Sequence, residues 1–183
     1  ETIAIVAAGP IWKNPKLETV EVSPDHPLLQ VVNGTLYDKA MASLLLHPTG
    51  SKLETLVIPE GVECIWTDAC SFNPYLKKVV MPDSVVSIGY WAFEGCTNLE
   101  SVNISKNCKI IGQYAFEDTA LREIYLPAGL ESLLEGFETL PYLENIYVDE
   151  ANPHYFSVDG VLNGEGAVDD KEYHLICYPA AKE

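Results

Sequence analysis

Four segments of the chain lie over one another with gaps of a single residue at most. They begin at Leu53, Leu76, Leu99 and Leu121, and a fifth start falls at Leu143, so successive starts are 23, 23, 22 and 22 residues apart. A unit this short cannot bury its own apolar face, whereas stacked copies share one continuous core; a solenoid is the natural product of such a sequence. Within each unit, apolar residues stand at positions one, four and six: Leu53, Leu56, Ile58; Leu76, Val79, Met81; Leu99, Val102, Ile104; Leu121, Ile124, Leu126. Positions four and six show the alternation of a strand with one face turned inward. Pro59, Pro82 and Pro127 follow, and a residue without an N–H ends the ladder there; the third unit has Ser105 instead.

A second apolar pair comes next, Val62/Ile65, Val85/Ile88, Cys108/Ile111 and Leu130/Leu133, then Ala92-Phe93 and Ala115-Phe116, with Ala69-Cys70 and Gly136-Phe137 as variants. The composite L-x-x-[IV]-x-[ILM]-P-x-x-[VL]-x-x-I-G-x-x-A-F-x-x-C resembles the BspA-like leucine-rich repeats of bacterial surface proteins. Leu76–Asn98 is the nearest match, with Pro82, Ile88-Gly89, Ala92-Phe93 and Cys96 all in place. Trp66 replaces the glycine in the first unit, and Leu133-Leu134 replaces Ile-Gly in the fourth. The expected fold is a leucine-rich-repeat solenoid, right-handed, with a parallel β-sheet on the concave face and turns and short helical segments on the convex side. The resemblance also implies an extracellular or cell-surface location and an adhesin-like role.

Two longer units flank the regular ones, from Leu17 and from Leu143. Each has a strand, a proline turn, and a tight-turn pair that favours positive φ, Asn33-Gly34 or Asp159-Gly160, so each is expected to carry a β-hairpin. The expected layout is one solenoid over 1–183: a truncated repeat over 1–16, a long hairpin repeat over 17–52, four regular repeats over 53–142, and a second long hairpin repeat, itself open to truncation, over 143–183. Ile3–Ala8 reads as a strand of the truncated repeat, and Glu1 as a processed or engineered start.

Eleven basic against 27 acidic residues leave a net charge of −16, which opposes nucleic acid and anionic lipid surfaces. No apolar run approaches the roughly 18–20 residues of a membrane span. Five cysteines without a C-x-x-C pair read as buried thiols, and no cofactor or metal is expected. Asp169-Asp170 reads as a solvated loop. The four histidines, His26, His47, His154 and His174, sit in the two long units, with His26 and His154 near the proline turns; a repeated structural role is the expectation. No nucleophile elbow, zinc helix or phosphate loop occurs, so an enzyme is not expected.

The expected function is a non-enzymatic module that recognises a protein or glycan, host-derived ligands included, through the concave sheet. The alternative is a structural spacer within a larger surface protein, and a hydrolase is the remote third. Read along the array, position five gives Val57, Val80, Asn103, Tyr125 and Tyr147 after Glu21 of the long unit. Tyrosine is favoured at interfaces, so Tyr125 and Tyr147 are the expected centre of a ligand site and Val57 and Val80 a drier patch; β-propensity alone accounts for the same residues. Trp91 and Tyr114, each just before Ala-Phe, form a second candidate aromatic patch, with packing over the convex turns as the alternative. Position two alternates in sign, Glu54, Lys77, Glu100, Arg122, Glu144, and predicts a structural charge ladder in which Arg122 bridges Glu100 and Glu144.

Overall fold

The repeat is expressed as two strands per coil. In a computed structural model that describes residues 14–165 and 173–182, the first long unit forms β1 (Leu29–Val32), β2 (Thr35–Asp38) and β3 (Ser43–Leu46). The regular units follow with β4 (Thr55–Val57), β5 (Cys64–Ile65), β6 (Lys78–Val80), β7 (Ser87–Ile88), β8 (Ser101–Asn103), β9 (Ile110–Ile111), β10 (Glu123–Leu126) and β11 (Ser132–Leu133). The second long unit adds β12 (Asn145–Val148), β13 (Tyr155–Val158), β14 (Val161–Glu165) and β15 (Tyr173–Cys177). The strand expected over Ile3–Ala8 and the Asp169-Asp170 pair lie outside the described residues.

The parallel concave-face sheet is present, in two sections, β4-β6-β8 and β10-β12. The second apolar pair of each unit forms a further parallel sheet, β3-β5-β7-β9-β11, which β1 and β2 extend as an antiparallel hairpin. This outer sheet occupies part of the side where turns and short helical pieces were expected. Turns are there, but the helical content of the described residues is one 3₁₀ turn, Phe137–Thr139. The turns before and after Ala-Phe place Asp68, Phe72, Trp91, Tyr114 and Asp118 at positive φ, and a left-handed residue every few positions stops a helix from propagating.

Both hairpins turn where Asn-Gly and Asp-Gly were read. Asn33 and Gly34 have φ of 50° and 77°, Asp159 and Gly160 of 50° and 75°, as a two-residue turn matched to strand twist requires.

The side chains between the sheets form one continuous cluster from Tyr37 to Cys177. Leu76, Leu99, Leu121 and Leu143 at position one are all buried, whereas Leu53 is exposed because the unit before it places no concave-face strand alongside. All five cysteines are free thiols, and Cys70, Cys96, Cys108 and Cys177 are buried. Burial pushes the Cys96 thiol up to about 12 and the Cys108 thiol up to about 11, which keeps both protonated and unreactive at neutral pH.

Side chains also staple coil to coil. Asn73 Nδ2 donates to the Pro48 and Ser51 carbonyls of the preceding coil, each at 3.0 Å, and Asn152 repeats the pattern on Pro127 and Leu130. The same asparagines accept backbone N–H groups of their own turns, Tyr75 and Leu76 for Asn73, His154 and Tyr155 for Asn152. In the first long unit His26 Nδ1 does this for Leu28 and Leu29, so the partner of His26 in the second long unit is Asn152 rather than His154.

The Ile-Gly glycines set the spacing of the stack. A Cβ on Gly89 would lie 2.5 Å from the Thr67 nitrogen, and one on Gly112 would lie 2.6 Å from the Gly89 carbonyl carbon. Backbone cannot retreat as a flexible side chain can, so Gly89→Ala is expected to force the coils apart and destabilise by about 1–3 kcal/mol. Gly129→Ala, whose Cβ would sit 3.7 Å from its nearest neighbour, should stay within roughly 0.5 kcal/mol of wild type when the two variants are compared by urea titration.

Candidate functional site

Parallel in-register pairing puts equal positions of neighbouring coils side by side, about 4.8 Å apart. Val57 stands opposite Val80 and Val80 opposite Asn103, while Tyr125 stands opposite Tyr147. The tyrosine rings accordingly stack, with centroids 4.7 Å apart and planes at 19°. Both remain open to solvent, Tyr125 at 60% and Tyr147 at 38%. The Glu123 carboxylate, two residues before Tyr125, accepts the Tyr125 hydroxyl at 3.3 Å and the Tyr147 hydroxyl at 3.5 Å. Loss of water around the ring, then the Glu123 charge, holds the Tyr125 phenol above its ordinary value, so it stays a neutral donor.

A groove of about 660 Å³ opens beside the pair, lined among others by Ile104, Lys106, Tyr125, Tyr147, Asp149 and Glu150. It runs from Ile104 and Lys106, just after β8, to the ends of β10 and β12, beside the place where the concave-face sheet is interrupted. Asn103 has a different task. Its Oδ1 accepts the Met81 N–H and its Nδ2 donates to the Met81 carbonyl, both at 3.0 Å. The amide thereby fills the place that the Val80 carbonyl fills for Ile58 one coil earlier. The row therefore divides into a Val57–Val80 patch, a structural asparagine and a tyrosine shelf.

Trp91 and Tyr114 sit in equivalent turns, at φ of 52° and 56°. The Trp91 ring is exposed and lies 5.9 Å from that of Tyr90, and Tyr114 is half-buried. A nearby furrow of about 350 Å³ on the outer sheet, with Trp66, Tyr90, Ile110 and Leu134 on its walls, did not emerge from the sequence. The signal was available: glycine at 89 and 112 leaves a floor between Trp66 and Leu134, which occupy the same repeat position at either end.

The position-two row pairs differently from a continuous ladder. Lys77 Nζ lies 2.8 Å from Glu54, and Arg122 pairs with Glu144. The Lys77 ammonium is raised by its bond to Glu54 first, with a smaller contribution from Glu100. Glu100 and Arg122 line a separate hollow of about 480 Å³ and are not paired with each other. The same device recurs elsewhere between coils, in Lys52–Glu18, Lys106–Asp83 and Lys109–Glu131. All these pairs are exposed and screened by solvent, so each contributes little to stability; what they favour is one register of the stack.

Among the described residues no group of three or more His, Cys, Asp or Glu is placed to hold a metal ion, and no helix is long and apolar enough to cross a membrane.

The family description "BspA type Leucine rich repeat region" matches in six copies across residues 49–153. The chain belongs to the BspA-type leucine-rich repeat family. Domains of this family are interaction or structural modules and are generally non-enzymatic. Among solved structures, the pneumococcal vaccine antigen PcpA matches with a TM-score of 0.68 at 23% identity, covering 73% of this chain and 34% of PcpA. The chain thus spans about a third of that protein. A leucine-rich repeat protein from Bacteroides capillosus matches with a TM-score of 0.60 at 27% identity, covering 66% of this chain and 98% of its own. One from Eubacterium ventriosum matches with a TM-score of 0.62 at 19% identity, covering 86% and 50%. A comparison with curated proteins returned no match.

Proposed function

We propose that this BspA-type solenoid is a non-enzymatic recognition module that takes a protein or glycan on its concave-face sheet, outside the cell. The observation that carries the reading is the exposed Tyr125–Tyr147 stack beside a groove, with Glu123 fixing both hydroxyls. Two rings locked by in-register strands offer a flat amphipathic surface that loses little side-chain entropy on binding. The Val57–Val80 patch extends that surface across the interruption. The likeness to a pneumococcal vaccine antigen supports the extracellular setting.

Screening against protein and glycan libraries, followed by affinity measurement, tests the reading. The Tyr125→Ala, Tyr147→Ala double variant is expected to weaken binding at least about tenfold, with the far-ultraviolet spectrum unchanged. Wild-type affinity in the double variant for every ligand found would place the site elsewhere. The cross-coil ion pairs and asparagine staples favour a second reading, a stiff spacer, and for that role no ligand would be lost with the tyrosines.

A further inference from the structure

The two hairpins share one register down to its irregularity. On β2–β3, Leu36 faces Leu46 and Tyr37 faces Leu44, with a slip between. On β14–β15, Leu162 faces Cys177 and Asn163 faces Leu175, with the slip in the same place. Leu175 therefore stands where Leu44 stands, Tyr178 where His47 stands and Pro179 where Pro48 stands. The chain leaves both hairpins alike: Gly50 N–H donates to Leu17 at 2.8 Å and Ala181 N–H to Leu143 at 2.9 Å.

The far side of the last strand is what differs. In the first half β5 pairs parallel to β3, with Ile65 opposite Leu44. The same coil brings the Ala69 carbonyl to the His47 N–H at 2.6 Å and the Asn73 amide to Pro48 and Ser51. Under that coil Leu44 is 0% and His47 is 1% exposed. In the second half β15 is, among the described residues, the edge of its sheet, and Leu175 is 62% and Tyr178 54% exposed. An open edge flanked by apolar side chains is a template for another strand.

We propose that the β15 edge, with Leu175 and Tyr178, is a docking face for one further BspA-type coil carried on the same polypeptide. That coil lies parallel on β15 as β5 lies on β3. The first half specifies its chemistry: an apolar strand residue to cover Leu175, a small residue whose carbonyl meets the Tyr178 N–H, and an asparagine that reaches the Pro179 carbonyl. The face involves neither Tyr125 nor Tyr147 and is independent of the ligand site.

The test compares the 183-residue chain with one extended after residue 183, the place of Lys52 in this register, by a copy of residues 53–75. The added coil should resist protease at least about tenfold longer than an unfolded segment, and the thermal midpoint should rise by about 5 °C or more. Leu175→Asp should leave the midpoint of the unextended chain within about 2 °C, and should abolish the rise in the extended one. Rapid cleavage of the added coil with an unmoved midpoint would overturn the proposal, as would an equal effect of Leu175→Asp in both chains. Concentration-dependent self-association of the unextended chain, removed by Leu175→Asp, would overturn it too by making a second copy the occupant.

Discussion

Phe93→Ala is expected to lower the unfolding free energy by about 3–5 kcal/mol. The ring is fully buried and stacks on Phe116 of the next coil, with centroids 5.5 Å apart and planes at 2°. Cys70 and Phe137 of the flanking coils belong to the same buried cluster, so the ring is enclosed on all sides. What sets the cost at a given chemistry is how far the surroundings can collapse into the hole. Collapse here is blocked, because Gly89 and Gly112 already hold neighbouring backbones in contact and the Phe93 N–H is tied to the Ala115 carbonyl at 2.8 Å. The thermal midpoint should fall by roughly 10 °C in a chain of this size. Phe116→Ala should cost a similar amount, and the double variant less than the sum, since both changes open one shared cavity. A Phe93→Ala variant within 1 kcal/mol of wild type in urea would show that the stack carries no such load.

The coil was legible because its strongest signal is periodic. Leu76, Leu99, Leu121 and Leu143 recur at the repeat interval, all are buried, and the in-register Tyr125–Tyr147 pair follows from counting alone. The outer sheet was not legible as a sheet, because strands of two residues, such as Cys64–Ile65 and Ser87–Ile88, are too short to show alternation. Its hydrogen bonds come from neighbouring coils, and no local pattern records them. Asn103 illustrates the same limit at the site. Its position places it in the outward row, but whether its amide meets a ligand or the Met81 backbone depends on a contact 22 residues away. The charge row was legible in its alternation and not in its pairing. Exposed side chains select one partner each, and Arg122, turned toward Glu144, does not also pair with Glu100. The clearest case of a role hidden from pattern is His47, which lies in an apolar run and is enclosed only once the following coil is laid over it.

That enclosure makes the stability of the chain depend on pH through one imidazole. His47 is buried, its Nδ1 lies 2.8 Å from the Thr35 hydroxyl, and its Nε2 has no hydrogen-bond partner. A proton added to this ring would bring a charge into a site with no carboxylate against it, and burial accordingly lowers its pKa to about 4. In the unfolded chain the same ring titrates near 6.5. Above about pH 6.5 both states hold it neutral and its contribution is fully present; as pH falls toward 4 the unfolded state binds the proton first and stability is lost. The loss should reach about 3 kcal/mol by pH 4. Neutralising some of the 27 acidic residues relieves self-repulsion over the same range, so the wild-type curve alone does not isolate the effect. His47→Gln removes the titration while keeping a polar group toward Thr35. The difference in unfolding free energy between wild type and His47→Gln should therefore shift against wild type by about 3 kcal/mol from pH 7 to pH 4. A difference that stays flat across that range would mean that the imidazole titrates alike in both states, and that the coil over His47 leaves it open to water.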